Sequence, residues 1–254
     1  MMHWIIKVFL IPIFFFFLLS DIDASTAKLG SLSGRPDSEI KRLAKGLSSV
    51  TTPEILSSNK ALQWLDFEFG FELALYHFSS GLRSIAQNSF DGTYYLPFLF
   101  GKIGWGKGFD SEIVLFLPGK VKKFSIFSSS LKWVPSFLNE DKYFFTPAIR
   151  QSYTYTKFDQ YDSNTWTTDL ILSTQKIWGI PFYGGGSFIK VFGEYDASIL
   201  DATQTRKPQM WTGKYFFGID HPFKLSKKLA LAIAFEVGFT KDAQIYALKT
   251  AFNF

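Results

Sequence analysis

The stretch that decides the fold runs from Leu65 to Leu75 and reads Leu-Asp-Phe-Glu-Phe-Gly-Phe-Glu-Leu-Ala-Leu. Large apolar side chains occupy the odd positions, whereas Asp66, Glu68 and Glu72 lie at even positions between them. A period of two is the signature of a β-strand with two different faces. Because burying an unpaired carboxylate is costly, one face must meet lipid or a core and the other must meet water or ion partners.

The same alternation recurs in nine further runs before Phe254, which predicts about ten strands, with eight or twelve as alternatives. In each run one face carries no charge, and the charges fall on the opposite face. A Lys or Arg that faced lipid at mid-depth would cost roughly 2–4 kcal/mol, so an uncharged face throughout is typical of lipid contact. The charges are therefore assigned to the lumen of a barrel: Asp66, Glu68, Glu72, Lys102, Asp110, Glu112, Lys132, Arg150, Asp169, Lys190, Glu194, Lys214, Asp220, Glu236 and Lys249.

A secreted, soluble β-sandwich would alternate as well, but three features favour a transmembrane barrel. The runs reach about ten residues, the length of a tilted membrane-spanning strand. The ninth run places only Ala230, Ala232, Ala234 and Gly238 opposite its large apolar residues, too little volume for a sandwich core. Aromatic residues near the ends of runs are typical of interfacial girdles: Trp64, Tyr76, Trp105, Trp133, Trp166, Trp178, Tyr183 and Tyr215.

The prediction is an all-β protein whose residues 62–254 form a transmembrane, antiparallel, up-and-down β-barrel. In the seventh run, the lipid-facing side is taken to be that of Tyr183, Ile189 and Val191, opposite Lys190 and Glu194. A soluble β protein remains the alternative.

Composition limits the chemistry of the 254-residue chain. It has no Cys, which excludes disulfide frameworks, thiolate metal sites and Cys nucleophiles. With three His in total, no metal site and no cofactor are expected. The formal net charge is +5, but the lysines are dispersed and form no basic patch, so nucleic acid is not a predicted partner. The basic balance favours attraction to anionic lipopolysaccharide and phospholipid headgroups instead.

Residues 1–27 have the pattern of a secretory signal peptide. Lys7 precedes an apolar run from Val8 to Leu19, and small residues within Ala24–Ala27 suit cleavage. The alternative is a membrane anchor, but a spanning helix needs about 20 apolar residues, and this run is shorter.

Residues 28–61 are polar, contain no aromatic residue and predict two short helices. The first begins near Asp37 and places Ile40, Leu43 and Leu47 on one face. The second has Thr52 as its N-cap and Pro53 as its first helical residue. The segment is interpreted as a periplasmic piece that docks loosely below the barrel, in preference to a plug.

The last strand carries a resemblance to a known class. Counting back by twos from the end gives four large apolar or aromatic residues, with Thr250 as a departure: Phe254, Phe252, Leu248 and Tyr246. This ending resembles the C-terminal insertion signal of bacterial outer-membrane β-barrel proteins. The resemblance implies an outer-membrane location beside lipopolysaccharide, and insertion by the barrel-assembly machinery with periplasmic chaperones. A monomer is expected.

One constellation could carry catalysis. His77 and Ser79 lie two apart, a spacing similar to that in barrel enzymes that deacylate lipid A, and Asp242 could approach as the orienting acid. The alternative is that His77 and Ser79 only end a strand at headgroup level, and that alternative is preferred because no Gly-rich oxyanion loop accompanies them.

The resulting functional prediction is a non-enzymatic barrel with a plugged or narrowly conducting lumen, since small barrels fill with side chains. An excess of acids among the lumen charges predicts mild cation preference. Loops 79–96 and 195–210 are the candidates for binding a ligand.

Overall fold

A computed structural model of the protein describes residues 36–54, 61–80, 93–117, 124–135, 137–138, 143–158, 161–177, 180–199, 202–226 and 229–254. The predicted signal peptide, Trp178, most of loop 79–96 and the part of the predicted second helix beyond Glu54 lie outside the described residues. The prediction that Thr52 and Pro53 begin a second helix is wrong, because Thr52 is the C-cap of the first helix and residues 53 and 54 are not helical. In the ranges given, no helix has both the length and the apolar character needed to cross a membrane.

The described residues form one helix and eleven strands. The helix, α1, spans Asp37–Thr51 and is followed by the strands in chain order: β1 (Phe67–Phe78), β2 (Thr93–Gly106), β3 (Phe109–Phe116), β4 (Phe124–Trp133), β5 (Phe145–Phe158), β6 (Tyr161–Ile177), β7 (Ile180–Ile199), β8 (Ala202–Arg206), β9 (Gln209–Lys224), β10 (Ala230–Phe239) and β11 (Ala243–Asn253).

The strands close into a barrel. Neighbours in sequence pair antiparallel, and β1 also pairs with β11, for example at Leu73↔Leu248. Strand β8 continues β9 in one line along β7, because Tyr195 pairs with Arg206 and Phe192 pairs with Gln209. The wall therefore has ten strands, and the predicted up-and-down barrel of about ten antiparallel strands is confirmed.

The two faces of the wall differ as the alternation requires. On β1, Phe67 and Phe69 are exposed on the outside, whereas Glu68 and Glu72 are buried on the inside. The same pattern exposes large apolar residues around the outside of the barrel, including Ile113, Leu131, Leu170, Phe217, Phe235 and Leu248. In water this outer surface would be unfavourable, but in a bilayer it is the surface that lipid chains solvate.

Aromatic residues mark both ends of the lipid-facing surface. Trp64 and Trp105 lie with ring centroids 6.3 Å apart at the end where β1 begins, and Tyr153 and Trp166 lie 5.2 Å apart nearer the other end. The assignment of Tyr76 and Tyr183 to the girdles is wrong: both side chains are buried in the lumen. The sequence around these residues does not distinguish a Tyr at the membrane interface from a Tyr that faces the lumen.

The predicted facing of β7 is also wrong. Tyr183, Ile189 and Val191 point inward and are buried, so Lys190 and Glu194 lie on the outside rather than in the lumen. The Lys190 ammonium lies 4.9 Å from the Phe192 ring and 5.4 Å from the Trp211 ring, a position from which a long side chain reaches the headgroups.

Connection lengths orient the barrel in the membrane. The connection between β1 and β2, residues 79–92, and the β7–β8 hairpin both lie opposite the end where β1 begins and β11 ends, which is called the terminal end of the wall. At the terminal end, β2 and β3 are joined by a turn at Lys107 and Gly108, where a positive φ of 87° favours glycine. Outer-membrane barrels place long loops outside and short turns in the periplasm. The 79–92 connection therefore assigns the terminal end to the periplasm, with the connection of residues 134–144 as a departure from this pattern.

Candidate functional site: the barrel lumen

Helix α1 lies inside the barrel. Its apolar face is buried and packs in one cluster with residues on the inner face of the wall, including Tyr76, Phe98, Ile189, Val191, Met210 and Ile245. The helix contacts β5, β7, β9 and β11, which stand on different sides of the barrel, and only a lumenal helix can contact them all. The expectation of a segment that docks below the barrel is therefore wrong for residues 36–54, and α1 is a plug.

The plug also explains the apolar inner face of β7. Ile40, Leu43 and Leu47 of α1 need apolar partners, and Ile189 and Val191 supply them. This part of the lumen is consequently a small hydrophobic core, and a strand that borders it is apolar on both faces. Alternation alone cannot tell which face of such a strand meets lipid.

Small residues on the inner wall make room for the helix. Six buried alanines lie on β1, β10 and β11: Ala74, Ala232, Ala234, Ala243, Ala247 and Ala251. At Gly238 a methyl group would lie 3.6 Å from Glu54 Oε2 and 3.4 Å from Lys214 Cδ, at ordinary contact distance. Small inward residues on the ninth run were thus the sequence signal for a plug.

The chain that follows α1 is anchored to three strands. Lys214 Nζ on β9 lies 2.6 Å from Glu54 Oε2, and both side chains are buried. Arg150 on β5 donates hydrogen bonds of 3.2 Å to the carbonyl oxygens of Pro53 and Glu54. The Glu54 backbone N–H donates to Glu72 Oε1 on β1 at 3.3 Å. These contacts hold the plug at the level where the lumen changes from apolar to charged.

Other wall charges near the plug have partners of their own. Arg150 Nε donates to Asp169 Oδ2 at 2.8 Å and its guanidinium lies 3.8 Å from Glu112 Oε1. The Tyr183 hydroxyl donates to Glu236 Oε2 at 2.9 Å. Removing one partner of such a buried pair is costly, because the remaining charge keeps its desolvation penalty.

A second charged cluster lies nearer the periplasmic end. Lys102 and Lys132 both approach Asp110 Oδ2, at 3.5 and 3.4 Å, and Lys249 Nζ lies 2.5 Å from Glu68 Oε1. All five side chains are buried. The lumen below the plug is thus occupied by paired side chains, and α1 occupies the part above.

At the outer mouth the plug meets the connection between β10 and β11. Arg42 Nε and Nη2 donate to Asp242 Oδ1 at 3.0 and 2.6 Å. Ser79 is joined to the same residue, since its backbone N–H donates to the Asp242 carbonyl at 2.8 Å and its hydroxyl lies 3.5 Å from Oδ1.

The structure brings Ser79 and Asp242 together but leaves His77 apart from them. The His77 side chain is exposed on the outside of β1, the face that also carries Phe69, whereas the neighbouring Tyr76 and Phe78 point inward. The Asp242 carboxylate is held by Arg42. The geometry expected of a nucleophile, a base and an orienting acid is therefore not assembled by these three residues.

The remaining sequence-based site residues divide by burial. Most of the charges assigned to the lumen are buried there, and Glu112 and Asp220 are half-buried on the inner face. Asp66 precedes β1 at the rim and accepts a hydrogen bond from the Gln63 N–H at 3.1 Å. In the predicted insertion signal, Tyr246, Leu248 and Phe254 are exposed on the outside. Phe252 is buried.

Glu54 and Arg42 are the two residues that sequence reasoning missed. Both lie in the polar segment before the first strand, where a charge usually indicates solvent exposure. Nothing in their local sequence signals a partner about a hundred or more residues away. Over the described residues, no group of His, Asp and Glu side chains is arranged to hold a metal ion.

No protein-family model matches the sequence, and none of the curated proteins resembles it closely enough to count as a relative. Among solved structures, the barrel is similar to the KdgM porin in complex with disordered oligogalacturonate, at 11% identity and a TM-score of 0.41, over 74% of this chain and 99% of that one.

Two further solved structures are similar at comparably low identity and TM-score. The translocator domain of the autotransporter NalP from Neisseria meningitidis gives 7% identity and a TM-score of 0.44 over 86% of this chain and 95% of that one. The outer membrane protease OmpT from Escherichia coli gives 8% identity and a TM-score of 0.38 over 77% of this chain and 98% of that one. At these values, what those proteins carry or cleave says nothing about this chain.

The closed wall, its apolar exterior and its charged interior decide the class. The chain has the fold of a transmembrane β-barrel protein. Lipid chains accordingly surround its apolar exterior.

Proposed function

We propose that the protein is a narrow outer-membrane channel that α1 holds closed at rest and that prefers cations when the plug is displaced. The observation that carries the proposal is the position of α1 in the lumen, anchored to the wall by the Glu54–Lys214 ion pair and the two Arg150 hydrogen bonds. A plug that is fastened by a few polar contacts can be released without unfolding the wall.

The preference for cations follows from the charges that line the wall. Among the described inner-face residues, acids outnumber bases: Glu68, Glu72, Asp110, Glu112, Asp169, Asp220 and Glu236 face Lys102, Lys132, Arg150, Lys214 and Lys249. Displacement of α1 leaves this acid excess to act on permeating ions, and rings of carboxylates favour cations.

The proposal includes how the chain reaches the membrane. A signal peptide in residues 1–27 exports it, and the barrel-assembly machinery with periplasmic chaperones inserts it as a monomer. The alternating ending at Tyr246, Leu248, Phe252 and Phe254 supports this route.

Planar-bilayer recordings of the refolded, full-length protein test the closed state. Wild-type protein is expected to conduct rarely. The variant Leu47→Asp places a carboxylate in the apolar contact between α1 and the wall, where its desolvation favours expulsion of the plug, so frequent openings are expected. In a KCl gradient the reversal potential should move toward the potassium equilibrium potential.

Ser38→Asp is the matched control, because it adds the same charge to the exposed first turn of the same helix. It should remain as closed as the wild type. A wild type that conducts steadily, or a Leu47→Asp barrel that migrates as folded protein on heat-modifiable gels but never opens, would contradict the proposal. A reversal potential of the opposite sign would contradict the cation preference.

A further inference from the structure

Helix α1 is open to solvent at one end only. Pro36, Ser38 and Lys41 are exposed, whereas residues 46–49 and 51–54 are all buried. A helix inside a tube shows this gradient when its amino-terminal end projects into a mouth of the tube and its carboxyl-terminal end is enclosed.

The open mouth is the outer one. Arg42 is bound to Asp242 in the connection between β10 and β11, which lies opposite the end of the barrel where β1 begins and β11 ends. The periplasmic half of the lumen is instead filled by buried ion pairs such as Lys249 with Glu68.

The residues just before β1, Trp64 and Leu65, lie at the periplasmic rim. Leu65 N–H donates to the Gly104 carbonyl at 2.9 Å, and the Trp64 ring packs against Trp105 beside it. Arg42 at the outer mouth and Leu65 at the inner rim therefore lie at opposite ends of the barrel, and Glu54 lies in the lumen between them.

We propose that the polypeptide ahead of α1 leaves the barrel at the outer mouth, so that the protein presents its own amino-terminal segment on the cell surface. The exposed amino-terminal end of α1, held at the outer mouth by Arg42 and Asp242, carries this inference, and it holds for a barrel that never conducts. The residues concerned suit water and an anionic surface, since residues 28–35 include Lys28 and Arg35 and no aromatic residue. Cationic side chains at this level face the phosphates of lipopolysaccharide.

Cysteine labelling in intact cells tests the proposal, because the native chain has no Cys and gives no background. The full-length variant Ser38→Cys is expressed in the outer membrane and treated with a maleimide coupled to a polyethylene glycol too large to cross that membrane. Three matched variants calibrate the signal: exposed Lys241→Cys in the outer β10–β11 connection, exposed Ser226→Cys in the turn after β9, and buried Ser49→Cys in α1.

Ser38→Cys should be modified in intact cells as fast as Lys241→Cys, whereas Ser226→Cys should react only after the membrane is permeabilised. Modification of Ser38→Cys only after permeabilisation, or none at either stage while Lys241→Cys reacts, overturns the proposal. Heat-modifiable migration shows whether each variant has folded. Lys41→Cys, exposed one turn further along α1, decides the matter if Ser38→Cys fails to assemble.

Discussion

Lys214 Nζ lies 2.6 Å from Glu54 Oε2, and because both side chains are buried, the ion pair joins the wall to the plug away from solvent. Glu236 adds a third charge close to both members of this pair, and its Oε2 accepts a hydrogen bond from the Tyr183 hydroxyl at 2.9 Å. Lys214 lies between the Glu54 and Glu236 carboxylates, so its loss leaves two like charges facing one another, whereas the loss of either carboxylate does not. The asymmetry can be measured.

Lys214→Met should therefore lower the free energy of unfolding by about 3–5 kcal/mol, the cost of breaking one side of a buried pair. Glu54→Gln should cost less, since the amide keeps the shape and can still accept a hydrogen bond from Lys214. The measurement is urea unfolding of the refolded protein in detergent, followed by tryptophan fluorescence.

The double variant Glu54→Gln/Lys214→Met is the control for this pair. Because the two groups contact each other, the two single effects should not add, and the double variant should be more stable than their sum implies. Simple additivity would mean that the ion pair does not couple the plug to the wall.

Gly238 offers a second test of the plug, from the wall side. A methyl group there would meet Glu54 Oε2, Lys214 Cδ and Ile245 Cβ at 3.4–3.6 Å, which is ordinary contact. Gly238→Ala should therefore leave the channel closed. Gly238→Leu brings three further carbons into the position of the Glu54 carboxylate, so it should displace the plug and increase the open probability in planar bilayers. If Leu and Ala behave alike, Glu54 does not occupy the space beside Gly238.

The outward face is tested at two depths. Leu170 lies near the middle of β6 and is 48% exposed on the lipid-facing side, between Ile149 and Gly186 on the neighbouring strands. Leu170→Lys should lower the free energy of unfolding in lipid vesicles by roughly 2–4 kcal/mol, as expected for a cation near the bilayer midplane. Equilibrium refolding into vesicles, monitored by heat-modifiable migration, measures this cost.

Phe192→Lys is the matched control, because Phe192 also faces outward but lies toward the outer end of β7, beside the native Lys190. There a lysine reaches the headgroups, and the expected electrostatic cost falls to roughly 0–1 kcal/mol. Equal costs at the two depths would mean that the outer surface does not contact a lipid bilayer in this orientation.

Alternation was sufficient to predict the wall. The run Leu65–Leu75 and the runs after it predict an antiparallel barrel of about ten strands, because successive side chains of a strand point to opposite faces of the wall. The prediction failed where both faces of a strand are apolar. On β7, Phe188 meets lipid and Ile189 meets α1, and only the presence of the plug distinguishes the two.

The sequence predicts the helix but favours a position below the barrel over a plug in the lumen. Ile40, Leu43 and Leu47 correctly indicated one apolar face, but a helix face of this size can dock on many surfaces. What decides its place is the combination with Ala234 and Gly238 far along the chain, whose small size leaves the lumen room for a helix. A relationship between residues so distant in sequence has no local pattern.

The position of His77 on the outside of the wall predicts that the protein does not deacylate lipid A. The His77 imidazole is exposed outside the wall, so it is not placed to activate the Ser79 hydroxyl, and Asp242 Oδ1, which lies 3.5 Å from that hydroxyl, is paired with Arg42 at 2.6 Å. Cells that produce the wild type, His77→Ala or Ser79→Ala should therefore show the same lipid A acylation by mass spectrometry as cells without the protein. Asp242→Asn is the informative comparison, because it should loosen the first turns of α1, seen as faster hydrogen exchange, and still leave lipid A unchanged. Loss of an acyl chain that depends on both His77 and Ser79 would show that the two residues come together in a conformation other than this one.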